Sequence, residues 1–348
     1  MKQPALNPWF DIGDTIPPID LKLSDGKPKP PNRMAGSIAV VHVSDDAGAE
    51  EAAAALEKLR GELEAVGASP YLVRRAAPVR NLALEKKLGL GFPVLADEPG
   101  ALAHNVNLKG NGTLLVGPDT RLLAVLPAAP GESVEAHFAT VMKAVGEATP
   151  TAFRPGPAIQ APVVPIPRVL SPDWCRWLIH VHDTEGSEPS GFMQQEKGKG
   201  VLKTDPSVKV RRDHVIASGS ALEKQIEQIF ARRVIPEIQK ATHCPIQRHE
   251  EFKIVRYSGA DGGHFRAHRD NTTAATQTRK FAVTLNLNTG AEAEGAGDYT
   301  GGYLVFPESG DFGYRPGPGD AVAFSCSLLH EARPVTSGER YVLLAFLH

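Results

Sequence analysis

Between residues 147 and 167 the chain reads EATPTAFRPGPAIQAPVVPIP, with six prolines. Each proline fixes φ and removes a backbone donor, so neither a helical ladder nor a central strand can run through the stretch. The residues on either side must therefore build separate cores, and 348 residues suffice for two. We expect a domain over 1–148, a stiff extended linker over 149–161 and a second domain over 162–348. The end of the stretch, APVVPIP, can also supply an edge strand to the second domain.

Several classes are excluded by what is missing. Basic and acidic residues nearly balance, 38 against 40, and no block of like charge occurs, so there is no footprint for nucleic acid. MKQPALNPWF has no basic segment leading into an apolar core, and no apolar run reaches the roughly 18 residues of a membrane span. A cytoplasmic protein is expected. Cys175, Cys244 and Cys326 are odd in number and lack CxxC spacing, which argues against a disulfide framework or zinc ribbon and for buried thiols in a reducing compartment.

In the first half, two extended pieces flank the turn Ser24-Asp25-Gly26, ahead of SIAVVHV, a β-branched run of the buried-strand type. Leu56, Leu59, Leu63 and Val66 then recur at helical spacing, with Gly67 as C-terminal cap. PYLVRR, FPVLAD, TLLVGP and RLLAVLP read as strands, LALEKKLGL as a helix, and Val134, Phe138, Val141, Met142 and Val145 share one face of a closing helix. This alternation predicts an α/β sheet covered by helices.

GD-x-x-P-x-x-x-L with a following Asp-Gly, the buried strand, FPVLAD and TLLVGPDTRLLAV together resemble a peroxiredoxin of the thioredoxin-like superfamily, over most of residues 10–146. The resemblance implies a thioredoxin-like fold. It also implies a peroxidatic cysteine at the start of the long helix, where the helix N-terminus lowers a thiol pKa. VSDDAGAEEAAA stands there instead, and no cysteine precedes Cys175. Thiol peroxidase chemistry has no nucleophile here. A non-catalytic scaffold, a docking surface or a homodimerisation element is the expected role.

The second half opens with RVLSPDWCRWLIHVHD, a helix with Ser171 as N-cap, Pro172 at its first position, and Leu178 and Ile179 on the buried side. His180 and His182 near its end read as surface residues. EGSEPSGFMQQEKGKGVLKTDPSVKVRRD is polar and glycine-rich, so residues 183–213 are expected to form a long loop able to cover a site. ALEKQIEQIFARRVIPEIQKATH carries an apolar stripe, Ile226, Ile229, Phe230 and Val234, interrupted near Pro236. EEFKIVRYS, HFRAHRD, KFAVTLNLN, GGYLVFP, FGYRPGPGDAVAFSC and RYVLLAFL follow as strand-like segments between glycine and proline turns. An α+β domain is predicted, a double-sheet jelly roll (double-stranded β-helix) with flanking helices.

Within VRYSGADGGHFRAHRDN, His268 and Asp270 stand two apart and share a face on an extended segment. His330 lies 60 residues beyond Asp270, and Arg340 ten beyond that. Two histidines and one carboxylate with open positions are the facial triad of non-haem iron oxygenases. A rival pair, His264-x-x-x-His268, would bind zinc from a helix, but Gly259, Gly262 and Gly263 just before it disfavour one.

Tyr257-Ser258-Gly259 ahead of H-x-D-N, then T-G-G-x-L-x-F-P, P-G-x-G-D-A-V-x-F, L-H-E and V-x-x-G-x-R-Y resemble the iron(II) and 2-oxoglutarate dependent dioxygenases of the prolyl 4-hydroxylase-like group, from about Val163 to His348. The resemblance implies Fe(II) on His268, Asp270 and His330, and Arg340 on the distal carboxylate of 2-oxoglutarate. It implies a Tyr257 hydroxyl on the same co-substrate; the same tyrosine also reads as a core aromatic. Dioxygen is the second co-substrate and ascorbate an accessory reductant. The substrate it implies is a prolyl or other residue of a peptide or protein. A free amino acid or small metabolite is the enzymatic alternative, and a metal-binding or sensing module without catalysis the other. Asp270 favours hydroxylation over halogenation, because related halogenases leave that position to halide. The chain departs from the group twice. Phe265 replaces a tyrosine three residues before the first ligand, and Asn286-Leu287-Asn288 replaces Y-L-N, with Asn286 as a shorter polar contact to the co-substrate.

Overall fold

The protein is described here by a computed structural model covering all residues except 18, 30, 150–159, 197, 198 and 311, so most of the expected linker 149–161 lies outside the described residues. Two compact units are present: Asn7–Arg154, and Met1–Leu6 together with Pro155–His348.

In the first unit the run IAVVHVS forms β1 (Ile38–Ser44), buried at every position. α1 (Ala49–Ala65) and β2 (Ala68–Arg74) follow, then α2 (Pro78–Leu88), β3 (Val94–Ala96) and α3 (Ala101–Asn105). β4 (Gly112–Val116), β5 (Leu122–Pro127) and α4 (Val134–Ala148) complete the unit. The strands order β3-β2-β1-β4-β5, with β1, β2 and β3 parallel and β4 and β5 antiparallel. Separate apolar clusters cover the two faces of this sheet, which makes the unit thioredoxin-like. Gly67 takes a φ of 74° just past α1, as the capping reading requires. Val66 departs from expectation: α1 stops at Ala65, so Val66 falls in the cap and is 41% exposed. Between β1 and α1, Asp46 takes ion pairs from Arg74 and Arg80, each at 2.8 Å.

The second unit begins with β6 (Val163–Ile166) and α5 (Pro172–Thr184), whose Ser171 hydroxyl accepts from the Trp174 amide as expected of an N-cap. His182 is not a surface residue. The buried face of α5 runs Trp174, Cys175, Leu178, Val181, His182, and the imidazole meets the Tyr341 ring edge-on. Of the cysteines, Cys175 and Cys326 are buried, and burial pushes the Cys175 thiol up to about 12; Cys244 is only half-buried.

Residues 183–213 are not one loop. They hold β7 (Glu188–Pro189), the hairpin of β8 (Phe192–Glu196) and β9 (Lys199–Lys203), and β10 (Lys209–Val210), with β11 (Arg212–Val215) directly after. Their polar sequence hides them because backbone pairing and charge pairs, not an apolar stripe, hold them in place. The amphipathic stretch then forms two helices, α6 (Ala221–Arg233) and α7 (Ile235–Thr242), breaking where Pro236 removes a donor.

The remaining strands are β12 (Lys253–Ser258), β13 (His264–His268), β14 (Phe281–Asn286), β15 (Gly290–Ala291), β16 (Tyr299–Gly301) and β17 (Leu304–Val305). β18 (Gly313–Tyr314), β19 (Ala321–Ser325), β20 (His330–Ala332) and β21 (Val335–Leu347) end the chain. A major sheet orders β6-β19-β14-β21-β12-β11-β7, and a minor sheet β10-β13-β20-β17-β18. This is the jelly roll.

Alternation along β21 separates its two environments. Tyr341, Leu343, Ala345 and Leu347 join the core beneath α5, α6 and α7, while Val342 and Phe346 join the clusters on the opposite face. Register then decides what shares that inner face. Tyr257 lies opposite Arg340, Val255 opposite Val342, and Thr284 opposite Leu344.

The turn between β12 and β13 needs Gly263. Its amide donates to the Ser258 carbonyl at 2.7 Å, and a Cβ there would sit 2.6 Å from the Ser258 nitrogen. We predict that Gly263→Ala destabilises this unit by about 1–3 kcal/mol, whereas Gly61→Ala, on an open face of α1, stabilises the other by about 0.5–1 kcal/mol. Chemical denaturation of both variants checks this, and an unchanged Gly263→Ala midpoint contradicts it.

Candidate active site

His268 ends β13 and His330 begins β20, and the two residues pair across the strands. A register shift between Phe265 and His268 inserts one extra residue on β13, a bulge that re-aims the end of the strand. Asp270 stands in the turn beyond, tied down by its amide to the Cys326 carbonyl at 3.0 Å and by its own carbonyl to Arg279 at 3.2 Å. The Asp270 carboxylate oxygens lie 3.4 Å from Nε2 of His268 and 3.4 Å from Nε2 of His330. Ligand atoms of all three residues fall within 4.8 Å of one another.

The proton positions follow from the backbone. Nδ1 of His268 is 2.7 Å from the Arg266 carbonyl, and Nδ1 of His330 is 3.0 Å from the Leu328 carbonyl. A carbonyl only accepts, so each Nδ1 carries a hydrogen and each ring directs its Nε2 toward the carboxylate. Burial keeps the His330 imidazole below its ordinary pKa. Burial pushes the Asp270 carboxyl up, but His330, His268 and Arg279 together bring it below the usual carboxylate range. Two Nε2 atoms and a carboxylate therefore converge on one point. Two imidazole nitrogens and one carboxylate so converging are a ligand set that suits Fe(II). The carbonyl contacts at Nδ1 are the outer shell expected of metal-ligating histidines.

The triad opens into a cavity of about 810 Å³. Arg340 lines it and is 2% exposed. Its one hydrogen bond given by the structure goes to the side-chain oxygen of Asn286 at 3.1 Å, its Nε has no partner, and no described carboxylate pairs with it. A buried guanidinium so placed fits a ligand carboxylate, to which it offers a planar fork. Asn286 does not line the cavity. It lies behind Arg340, fully buried, and its amide nitrogen donates to the Tyr299 hydroxyl at 3.0 Å and the Pro316 carbonyl at 2.7 Å. The expected direct contact with co-substrate is replaced by support of the arginine.

Tyr257 is both core and wall: its ring packs with Val255 and Val342, and the residue lines the cavity. Arg211 donates to its hydroxyl oxygen at 3.1 Å, leaving the phenolic hydrogen to donate elsewhere. Phe265 stacks on His268 with centroids 3.5 Å apart and planes 21° from parallel, so the missing hydroxyl is replaced by a flat support for a ligand ring. His264 lies on the strand, not a helix, and outside the triad.

Sequence reasoning missed Lys209, Arg211 and Thr284 in the cavity wall and Asp213 behind it. Lys209, Arg211 and Asp213 alternate at period two, a strand signal that charged residues disguise. Burial, with Arg211 beside it, lowers the Lys209 ammonium to about 6. A second cluster, Glu223, Glu227 and His249, is accounted for by local bonds: Glu223 accepts from the Gly219 amide and Glu227 from His249.

Residues 252–348 match the sequence profile of the 2OG-Fe(II) oxygenase superfamily. The matched residues include all three triad members and Arg340. Among solved structures, the viral collagen prolyl hydroxylase vCPH from Paramecium Bursaria Chlorella virus-1, in its 2OG complex, is similar at 19% identity, covering 53% of this chain and 94% of its own, with a TM-score of 0.39. The peroxidoxin BcpB from Mycobacterium tuberculosis is similar at 18% identity, covering 40% of this chain and 97% of its own, with a TM-score of 0.37. Peroxiredoxin Q from Xanthomonas campestris is similar at 19% identity over 40% of this chain and 96% of its own, with a TM-score of 0.35. No helix among the described residues is long and apolar enough to cross a membrane.

Asn286 gives the oxygenase domain a test that needs no ligand. Asn286→Ala leaves Arg340, Tyr299 and Pro316 short of a buried partner, so we predict a loss of about 1–3 kcal/mol in urea unfolding with the slope unchanged. A loss within error of zero contradicts the supporting role.

Proposed function

We propose that this protein is a hydroxylase that consumes 2-oxoglutarate and dioxygen, inserting one oxygen atom into a substrate C–H bond and releasing succinate and carbon dioxide. The observation that carries the reading is the convergence of two histidine Nε2 atoms and the Asp270 carboxylate within 4.8 Å beside a buried Arg340 that has no carboxylate partner among the described residues.

His268, Asp270 and His330 hold Fe(II) through three ligand atoms. Bound there with 2-oxoglutarate, the iron supplies dioxygen activation coupled to oxidative decarboxylation. The protein positions the parts. Arg340 takes the distal carboxylate of the co-substrate, Asn286 keeps the guanidinium aimed, and Tyr257 offers its free phenolic hydrogen to the same molecule. Phe265 holds the His268 ring flat against rotation. The first unit has no cysteine, and a scaffolding, docking or homodimerising role suits it.

Succinate release from 2-oxoglutarate tests the reading. Wild-type protein should form succinate only with Fe(II), and His268→Ala should abolish it. Arg340→Met should keep metal binding and raise KM for 2-oxoglutarate roughly 30- to 1,000-fold, the equivalent of about 2–4 kcal/mol for a buried charge pair. Iron-loaded wild-type protein that forms no succinate, even uncoupled, overturns the proposal.

A further inference from the structure

Six cationic side chains line the cavity; four have an evident counter-charge or ligand, and of the two lysines without a described ion pair Lys253 is half-buried and Lys209 buried. Arg211 pairs with Asp213, Arg269 with Glu308 and Arg279 with Glu250. Arg340 is matched by the co-substrate in the reading above. Lys209 is different. It is 6% exposed, lines the cavity, and has no described carboxylate within ion-pair distance. Its ammonium donates to the Gly191 carbonyl and rests 4.7 Å over the Phe265 ring. One carbonyl and one aromatic face are its only described partners and neither is an anion, so burial holds the amine mostly uncharged, and an acid group entering the cavity would find there a proton acceptor to pair with.

Charge balance shows what is missing. A divalent metal is neutralised by Asp270 and the metal-bound carboxylate of 2-oxoglutarate, and Arg340 by the distal one. Lys209 then remains as the buried amine for which neither protein nor co-substrate provides an anionic partner, whereas Lys253, also in the cavity wall, is only half-buried. The nearby carboxylates are already committed: Asp213 to Arg211 and Ser190, Asp270 to the triad.

We propose that Lys209 binds a carboxylate of the substrate, and that the substrate is a free acid of amino-acid size. This rests on the oxygenase reading and chooses the small-molecule branch over the peptidyl one. Position supports the choice. Lys209 pairs with Phe265 across the strands, and Phe265 stacks on His268, so one phenyl ring separates the ammonium from the triad. A carboxylate held there presents C–H bonds only a few atoms away to the metal side, whereas the interior of a peptide chain has no terminal carboxylate to offer. About 810 Å³ is within the range of pockets for drug-sized ligands, room for 2-oxoglutarate and a second small molecule.

The test uses full-length protein loaded with Mn(II) and 2-oxoglutarate without oxygen. Calorimetry compares the twenty standard free amino acids with their carboxamides, and with a proline-containing peptide blocked at both ends. At least one free acid should bind tenfold or more tightly than its amide and more tightly than the peptide. In Lys209→Met that preference should fall below twofold, and in Lys209→Arg it should persist, with the Kd for 2-oxoglutarate within threefold of wild type in both. No acid preferred over its amide, or a preference intact in Lys209→Met, overturns the proposal. A tenfold loss of 2-oxoglutarate affinity in Lys209→Met also overturns it, by assigning the lysine to the co-substrate. Should Lys209→Met fail to fold, the wild-type acid and amide comparison and Lys209→Gln decide. Failure of the metal-loaded wild type to bind 2-oxoglutarate would instead sink the oxygenase reading itself.

Discussion

β21 has to satisfy two environments at once. It lies between β12 and β14 in the major sheet, with the helical core on one face and the cavity on the other. A one-residue slip would exchange the two faces and carry Arg340 out of the cavity into the apolar core. Leu343 and Leu347, almost fully buried against α5, α6 and α7, make that slip prohibitive. The position of a polar anchor is thus set by hydrophobic burial on the other side of the same strand.

The minor sheet works by a different constraint. β13 and β20 are short and partly polar, so their geometry depends on local fixings: the bulge before His268, the Gly263 turn, and Nδ1 contacts that orient both imidazoles. The triad is consequently built on the less cohesive sheet and Arg340 on the more cohesive one. Metal binding would add the cross-link between β13, β20 and the Asp270 turn that the apolar core does not supply.

What the sequence revealed follows from these differences. β1, β14 and β21 announce themselves because burial on both faces demands continuous apolar runs. His268, Asp270 and His330 were legible as a set through spacing and motif, and the structure brings them together. Arg340 was proposed from the sequence as a carboxylate anchor and lies in the cavity wall, while its contact with Asn286 was not legible, since support from behind is a matter of register. Residues 183–213 were misread because Lys209, Arg211 and Asp213 carry their strand periodicity in charge. His182 was misread because its burial depends on Tyr341, far away in sequence, closing over it.

The central claim is that one cation joins His268, Asp270 and His330 and completes a seat for 2-oxoglutarate that ends on Arg340. Anaerobic equilibrium dialysis of 2-oxoglutarate with and without Fe(II) tests it most directly. The account predicts one 2-oxoglutarate per chain when Fe(II) is present, and binding at least tenfold weaker when the metal is withheld or His330 is replaced by alanine. Equal affinity with and without metal would contradict it.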